Sequence, residues 1–315
     1  MPTKKHASDF ESLPLFQTSN NGIPKKLITS SDLKPINNLK TVFHEIRNYF
    51  AGNVTGITRD ETIAQNIMRL LFCKLYDEKN NQGLVDFANR PDEDLVIFQN
   101  RIQSLFEKVK SVYPDIFDKD EKIEISPMDL SFIISKLENY SINNADRDVI
   151  GDAFEELIGT SLRGGEGQFF TPRNVVQMMI DVLSPREGER IIDPACGSGG
   201  FLAYTVKYLK TNNINDYYLA GIDKDAFLSK IAKIYLSLLG NEEYHIYCEN
   251  SLEVPSKWKH ETQQNIGLNS FDVVLTNPPF GAKIPVVGKE LLKQYRLGHK
   301  WEKHTSWTET KTILN

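Results

Sequence analysis

"RIIDPACGSGGF", residues 190–201, is the stretch on which the fold turns. Arg190-Ile191-Ile192 reads as a short strand, Asp193 stands at its end, and Gly197, Ser198, Gly199 and Gly200 make a tight turn that opens a helix. Parallel strands need a crossover, usually helical, so strand, glycine turn and helix in this order begin a parallel α/β sheet. The same alternation continues outward. A helix near 200–211 is followed by a strand in "YYLAGID", a helix near 225–239, a strand in "YHIYCENS" and a fourth strand in "FDVVLTNPPF" (271–280). Four parallel strands are expected.

On the amino-terminal side, "RGGEGQFF" (163–170) is a glycine-rich break, and "TPRNVVQMMIDVL" predicts a helix with Thr171 as its N-cap and Pro172 in its first turn. Residues 39–165 carry apolar side chains at helical spacing. Val42, Ile46 and Tyr49 share one face, as do Ile63, Ile67, Leu70, Leu71 and Leu75, the latter behind a candidate capping box of Thr58 and Glu61. No strand is expected there. Residues 1–38 read as a loose polar arm, and 281–315 as polar and unpatterned. The domains expected are therefore the arm, a helical domain over 39–165, and 166–315 as a partial α/β domain. Its last strand would be left as an edge, a poor place for a complete domain to stop, so the chain reads as cut short.

Bulk composition narrows the classes. With 315 residues and a formal net charge of -5, the chain has room for two domains and no global basic field. Any nucleic-acid contact is expected from a local patch or a partner. Three scattered cysteines and six histidines show neither a pairing pattern nor a metal-ligand spacing, so no metal is expected. With no signal peptide and no long apolar run, a cytoplasmic protein with no membrane contact is the expectation. "PDIFDKDEKIE" has a faint nuclease-like set in Asp115, Asp120, Glu121 and Lys122, but reads as a charged turn. Cys196 reads as packing rather than as a nucleophile.

The glycine turn has G-x-G-G behind an acid, without the third glycine of the dinucleotide fingerprint. An acid in the turn repels a pyrophosphate but suits a cationic amino-acid group, as in S-adenosylmethionine. Asp223, at the second strand's end, is placed to accept hydrogen bonds from ribose hydroxyls, and Asn250 after the third strand lies near where an adenine edge would sit. The fourth strand leads into Asn277, Pro278, Pro279 and Phe280 beside the first strand, at the switch point of the sheet. There the Asn277 side-chain oxygen and the Pro278 carbonyl can accept both hydrogens of one planar amine and stabilise the charge that develops as it is methylated. The prolines stiffen the loop, and Phe280 can stack on a base, worth roughly 1–3 kcal/mol.

"GQFFTP" (167–172), "DPACGSGGF" (193–201) and "TNPPF" (276–280), in this order, resemble the modification subunits of type I restriction–modification systems, which are N6-adenine DNA methyltransferases. The resemblance spans about 40–310. It implies a Rossmann-like S-adenosylmethionine-dependent methyltransferase fold behind an α-helical domain. It further implies cofactor contacts at Gln168, Phe169, Phe170, Thr171, Pro172 and Arg173 and at Asp193, Gly197, Ser198, Gly199, Gly200, Asp223 and Asn250, with catalysis at Asn277, Pro278, Pro279 and Phe280. The partners it implies are DNA, a specificity subunit engaged by two modification subunits, and a restriction subunit. Two departures stand out. The family has an acid where this chain has Asn250, and its sheet has seven strands.

RNA or protein-glutamine methylation uses similar loops and stays open, although the Gln-Phe-Phe-Thr-Pro segment ahead of the glycine turn argues against both. A non-catalytic cofactor-binding or assembly module also stays open.

Overall fold

The computed structural model describes residues 27–53, 60–161, 171–240, 243–279, 286, 288–295, 300–303 and 307–310. In chain order the elements are β1 (Lys34–Pro35), α1 (Leu39–Asn53), α2 (Asp60–Asn80), α3 (Leu95–Val112), α4 (Pro127–Leu137), β2 (Tyr140–Ser141), α5 (Arg147–Ser161) and α6 (Arg173–Leu183). Then follow β3 (Arg190–Asp193), α7 (Gly200–Thr211), β4 (Tyr218–Asp223), α8 (Ala226–Leu238), β5 (His245–Cys248), α9 (His260–Asn265), β6 (Val273–Val274), α10 (Lys289–Leu292), β7 (Lys300–Lys303) and β8 (Trp307–Thr310).

Helices α1 to α5 pack on one another over the stretch expected as a helical domain. Local chemistry sets their ends: Asp94 caps α3 by accepting from Val96 N at 2.8 Å, and Ser126 caps α4 ahead of Pro127. The apolar stripes close on Phe50, Phe72, Phe106 and Phe154, all buried. Two sequence expectations change here. Residues 27–38 are not part of a loose arm, because Ile36 is fully buried and Lys34–Pro35 pairs in parallel with Tyr140–Ser141, a short ladder where no strand was expected. Ladders of two residues carry no alternation for a sequence pattern to reveal. The Thr58 end of the candidate capping box, and residues 1–26, lie outside the described residues.

The four expected strands form one parallel sheet in the order β5-β4-β3-β6. β6 returns to lie beside β3, so the switch point falls between the glycine turn and the Asn-Pro-Pro segment. Side chains alternate across the sheet. Ile191, Leu219, Ile246 and Val273 face α7 and α8 in a core continuous with the helical domain. Ile192, Ala220, Ile222 and Tyr247 face a smaller core under Trp258 and Ile266. Val274, in the edge strand β6, is 56% exposed. The expectation of an unpatterned tail is also corrected: β7 and β8 pair antiparallel, with Lys300 opposite Thr310. Polar residues dominate both strands, which hides them from an apolar-pattern reading.

Residues 115–121, in the charged turn expected from sequence, bridge α2 and α8. Glu121 accepts from Arg69 Nε on α2 at 3.0 Å and pairs with Lys230 on α8, while Phe117 is buried beneath the Lys230 ammonium. Lys233 of α8 donates to the Asp115 carbonyl at 2.8 Å. Removing one partner of a half-buried charge cluster leaves the others poorly compensated, so Glu121→Ala should cost about 1–2 kcal/mol in chemical denaturation. An unchanged midpoint would mean that apolar contact alone docks the two domains.

Candidate functional site

The site is built at the carboxyl ends of β3, β4 and β6. Asp193 ends β3 with its side chain 1% exposed, and its Oδ1 accepts from Ala195 N at 3.0 Å. Burial pushes its pKa up to about 7 against the pull of the Ala195 N–H and the nearby Thr276 hydroxyl, and the Asp223 carboxylate raises it further. Thr276 Oγ1 is itself buried without a hydrogen-bond partner of good geometry, although it lies close enough to favour the charged form of Asp193. A buried acid so weakly supported is suited to an added cation.

The glycine turn is held from behind by β4. Cys196 N donates to the Ile222 carbonyl at 2.9 Å, and Gly197 N donates to Asp223 Oδ2 at 2.9 Å. Asp223 Oδ1 takes Asp225 N at 2.9 Å, so this acid ties together the two loops that flank the site. Space around the glycines separates their roles. A Cβ at Gly197 or Gly200 would meet nothing within 4 Å, leaving the turn's backbone open to approach. A Cβ on Gly199 would stand 3.0 Å from the Ala232 side chain and 3.1 Å from its Cα, at φ +86°. Gly199→Ala combines left-handed strain with a backbone clash and should cost about 2–4 kcal/mol, read by urea unfolding. Gly197→Ala, strained at φ +54° without a clash, should cost about 1 kcal/mol.

The Asn-Pro-Pro segment leaves β6 after Leu275 N donates to the Ile192 carbonyl at 3.0 Å. Asn277 Nδ2 donates to Thr171 Oγ1 at 2.9 Å. With the amide nitrogen committed to Thr171, the oxygen is left for another donor. Pro278 and Pro279 are exposed. Thr171 is therefore not the helix cap expected from sequence: Pro172 holds that position, with no side-chain cap, and the Thr171 hydroxyl serves Asn277.

Arg173 is turned toward the helical domain, where its guanidinium pairs with Asp152 and Glu155 on α5. Asn250 is exposed, with Oδ1 taking Leu252 N at 3.1 Å and its carbonyl taking Trp258 Nε1 at 2.9 Å. Ser198 lies half-buried in the turn. Gln168, Phe169, Phe170 and Phe280 lie outside the described residues. Cys196 is buried, which pushes its thiol well above the ordinary range, in keeping with packing. Thr276 and the Asp152–Glu155 pair escaped the sequence reading. A threonine with a buried hydroxyl one residue before the asparagine carries no periodic signal, and ion pairs far apart in sequence carry none either.

A buried acid near neutrality, an open glycine turn and a second acid at β4 fit a cationic nucleoside such as S-adenosylmethionine. Among the described residues no group of three or more His, Cys, Asp or Glu side chains is placed to hold a metal ion, and no helix is long and apolar enough to cross a membrane.

Residues 145–311, more than half of the chain, match the family described as N-6 DNA methylase. The type I restriction enzyme MjaVII methylase subunit of Methanocaldococcus jannaschii is 30% identical over 225 residues, covering 66% of this chain and 37% of that protein. The EcoEI methylase subunit of Escherichia coli is 32% identical over 160 residues, covering 47% and 31%. The chain thus spans about a third of the length of these curated relatives. The crystal structure of a type I restriction-modification system methyltransferase subunit from Streptococcus thermophilus shares the fold at a TM-score of 0.51 and 16% identity, over 78% of this chain and 64% of that one. Fold, motif order and family match agree: the chain belongs to the N-6 DNA methylase family.

Proposed function

We propose that this chain carries the catalytic core for methyl transfer from S-adenosylmethionine to the N6 amino group of adenine in DNA. The observation that carries the reading is the Asn277 Nδ2 to Thr171 Oγ1 hydrogen bond at the sheet's switch point. It holds an amide acceptor at the end of β6, the strand paired with β3, which leads into the glycine turn. An exocyclic aromatic amine is a poor nucleophile because its lone pair is delocalised into the ring. Asn277 Oδ1 and the Pro278 carbonyl would each accept one of its hydrogens, favouring a pyramidal nitrogen and gaining strength as positive charge develops there. Asp193 and the open face of Gly197 and Gly200 would hold the cofactor, whose contribution is an electrophilic methyl group on a sulfonium. The target adenine must leave the duplex to reach this edge.

DNA and a sequence-specificity subunit are the proposed partners, supported by the type I methylase relatives and by a net charge of -5, which leaves the chain without a DNA-wide field of its own. Two copies per specificity subunit, and a restriction subunit beyond it, complete the proposed assembly, in the cytoplasm.

Radiolabelled methyl transfer by the chain with its specificity subunit, followed by nucleoside analysis, tests the activity. Label in N6-methyladenine of DNA is expected. Label in RNA or in protein glutamine instead would overturn it, and cofactor binding without any transfer would favour an assembly role.

A further inference from the structure

Glu155 on α5 joins three helices. Its carboxylate accepts from Arg173 Nε on α6 and, at 3.1 Å, from the Tyr235 hydroxyl on α8. Asp152, one turn earlier on α5, pairs with the other end of the same guanidinium. Phe154 between them stacks on Tyr235, ring centroids 4.7 Å apart, so the α5 carboxylates sit on a packed base rather than on a free loop. Arg173 is the first residue of α6, and only Pro172 separates it from Thr171. Pro172 has φ -54° and a ring that keeps it there. A displacement at Arg173 is therefore passed along a stiff dipeptide to the hydroxyl that holds the Asn277 amide.

We propose that Arg173 is a positioning residue for Asn277: anchored by Asp152 and Glu155, it fixes the Thr171 hydroxyl, which in turn sets the Asn277 side chain. The inference rests on the adenine-methylation reading for its kinetic consequence, though not for its geometry. It gives Arg173 a different task from the cofactor contact that the motif implies, and it makes the helical domain part of the catalytic geometry.

The side chains of Arg173 and Asp152 are 44% and 55% exposed and that of Glu155 20%, and ion pairs with a guanidinium this open contribute little to stability. A change in rate without a change in melting is thus the expected signature. Arg173→Met should lower kcat by about tenfold to a hundredfold, the scale of loss from a small misplacement of a reacting group. The thermal midpoint and the calorimetric affinity for S-adenosylhomocysteine should stay unchanged. Thr171→Val should lower kcat likewise, Thr171→Ser should restore most of it, and Arg173→Met added to Thr171→Val should do little more, because both act through one hydrogen bond.

Additive losses in the double variant would overturn the relay, and so would weakened cofactor affinity with unchanged kcat, which would make Arg173 a cofactor contact. A second measurement does not depend on what is methylated. The Asn277 side-chain amide resonance in the chain alone, assigned by its disappearance in Asn277→Ala, should move in both Arg173→Met and Thr171→Val. A resonance unmoved in Arg173→Met would overturn the relay even in an active enzyme. A resonance that moves in a protein transferring nothing to adenine would support the relay and refute the activity.

Discussion

Asn277→Ala is expected to lower the rate of the proposed methyl transfer to adenine by about 10²–10³-fold while leaving cofactor affinity unchanged. The asymmetry follows from where the side chain sits. Asn277 leaves β6 beside β3 and touches Thr171 through its nitrogen, whereas the glycine turn is held by β4 through Gly197 N and Asp223. Losing the amide removes an acceptor whose value grows as the target nitrogen becomes positive, so the loss falls on kcat more than on KM. Asn277→Asp sharpens the test. It keeps an oxygen acceptor but gives up the amide N–H that anchors the side chain to Thr171. Activity should fall with it as well. Single-turnover kinetics beside calorimetry separate the two effects. A variant that loses cofactor binding in step with rate would mean that Asn277 belongs to the cofactor pocket.

The second large effect concerns Asp193 and has opposite signs for stability and for binding. Its carboxyl is raised to about 7 in the folded protein from 3.8, with burial as the main cause. The folded chain holds this proton more tightly than the unfolded chain does. As far as this group is concerned, stability is fully present below pH 3.8, declines as pH climbs, and is lost once pH passes about 7. The whole window is worth on the order of 4 kcal/mol. Asp193→Asn keeps an oxygen for the Ala195 N–H and removes the charge. Without cofactor, the variant should be more stable than the parent at pH 8 and equal to it near pH 4.

Cofactor affinity should fall by about a hundredfold, because a buried charge partner is gone. In the parent it should rise from pH 6 to pH 8 as the carboxyl ionises. Denaturant midpoints across pH, with cofactor calorimetry on the same samples, measure both. A variant no more stable than the parent at pH 8 would show that the carboxyl carries no penalty. Unchanged affinity would show that it meets no cation.

Much of the sheet was legible in advance because its elements obey local rules. Ile191 and Ile192, Leu219 to Ile222 and the "HIYC" run are apolar enough to read as strands, and the glycines at 197–200 mark the turn into α7, which spans the expected residues 200–211. The pairing of β6 with β3 could be read from the switch-point rule for open α/β sheets, since periodicity alone says nothing of strand order. What stayed hidden was non-local or small. The hydroxyl of Thr171 looked like a cap from its neighbours and serves a residue 106 positions away. Glu121 and Asp115 read only as part of a charged turn because their partners, Arg69, Lys230 and Lys233, lie on helices that only folding brings near. The β1–β2 ladder and the β7–β8 hairpin lack the apolar alternation that a sequence reading depends on.

The β6 edge has a consequence for the order in which the chain assembles. β3, β4 and β5 join through short crossovers, but β6 reaches β3 only by closing a span of 82 residues, seen in the Arg190 N bond to Asp272 Oδ2. Closure entropy must be met before those contacts can form, and the ladder that then forms has only two paired positions. The half that would hold a cofactor can therefore condense first, with the asparagine loop zipped on afterwards. Unfolding is expected to reverse this order and to release the asparagine loop before the glycine turn.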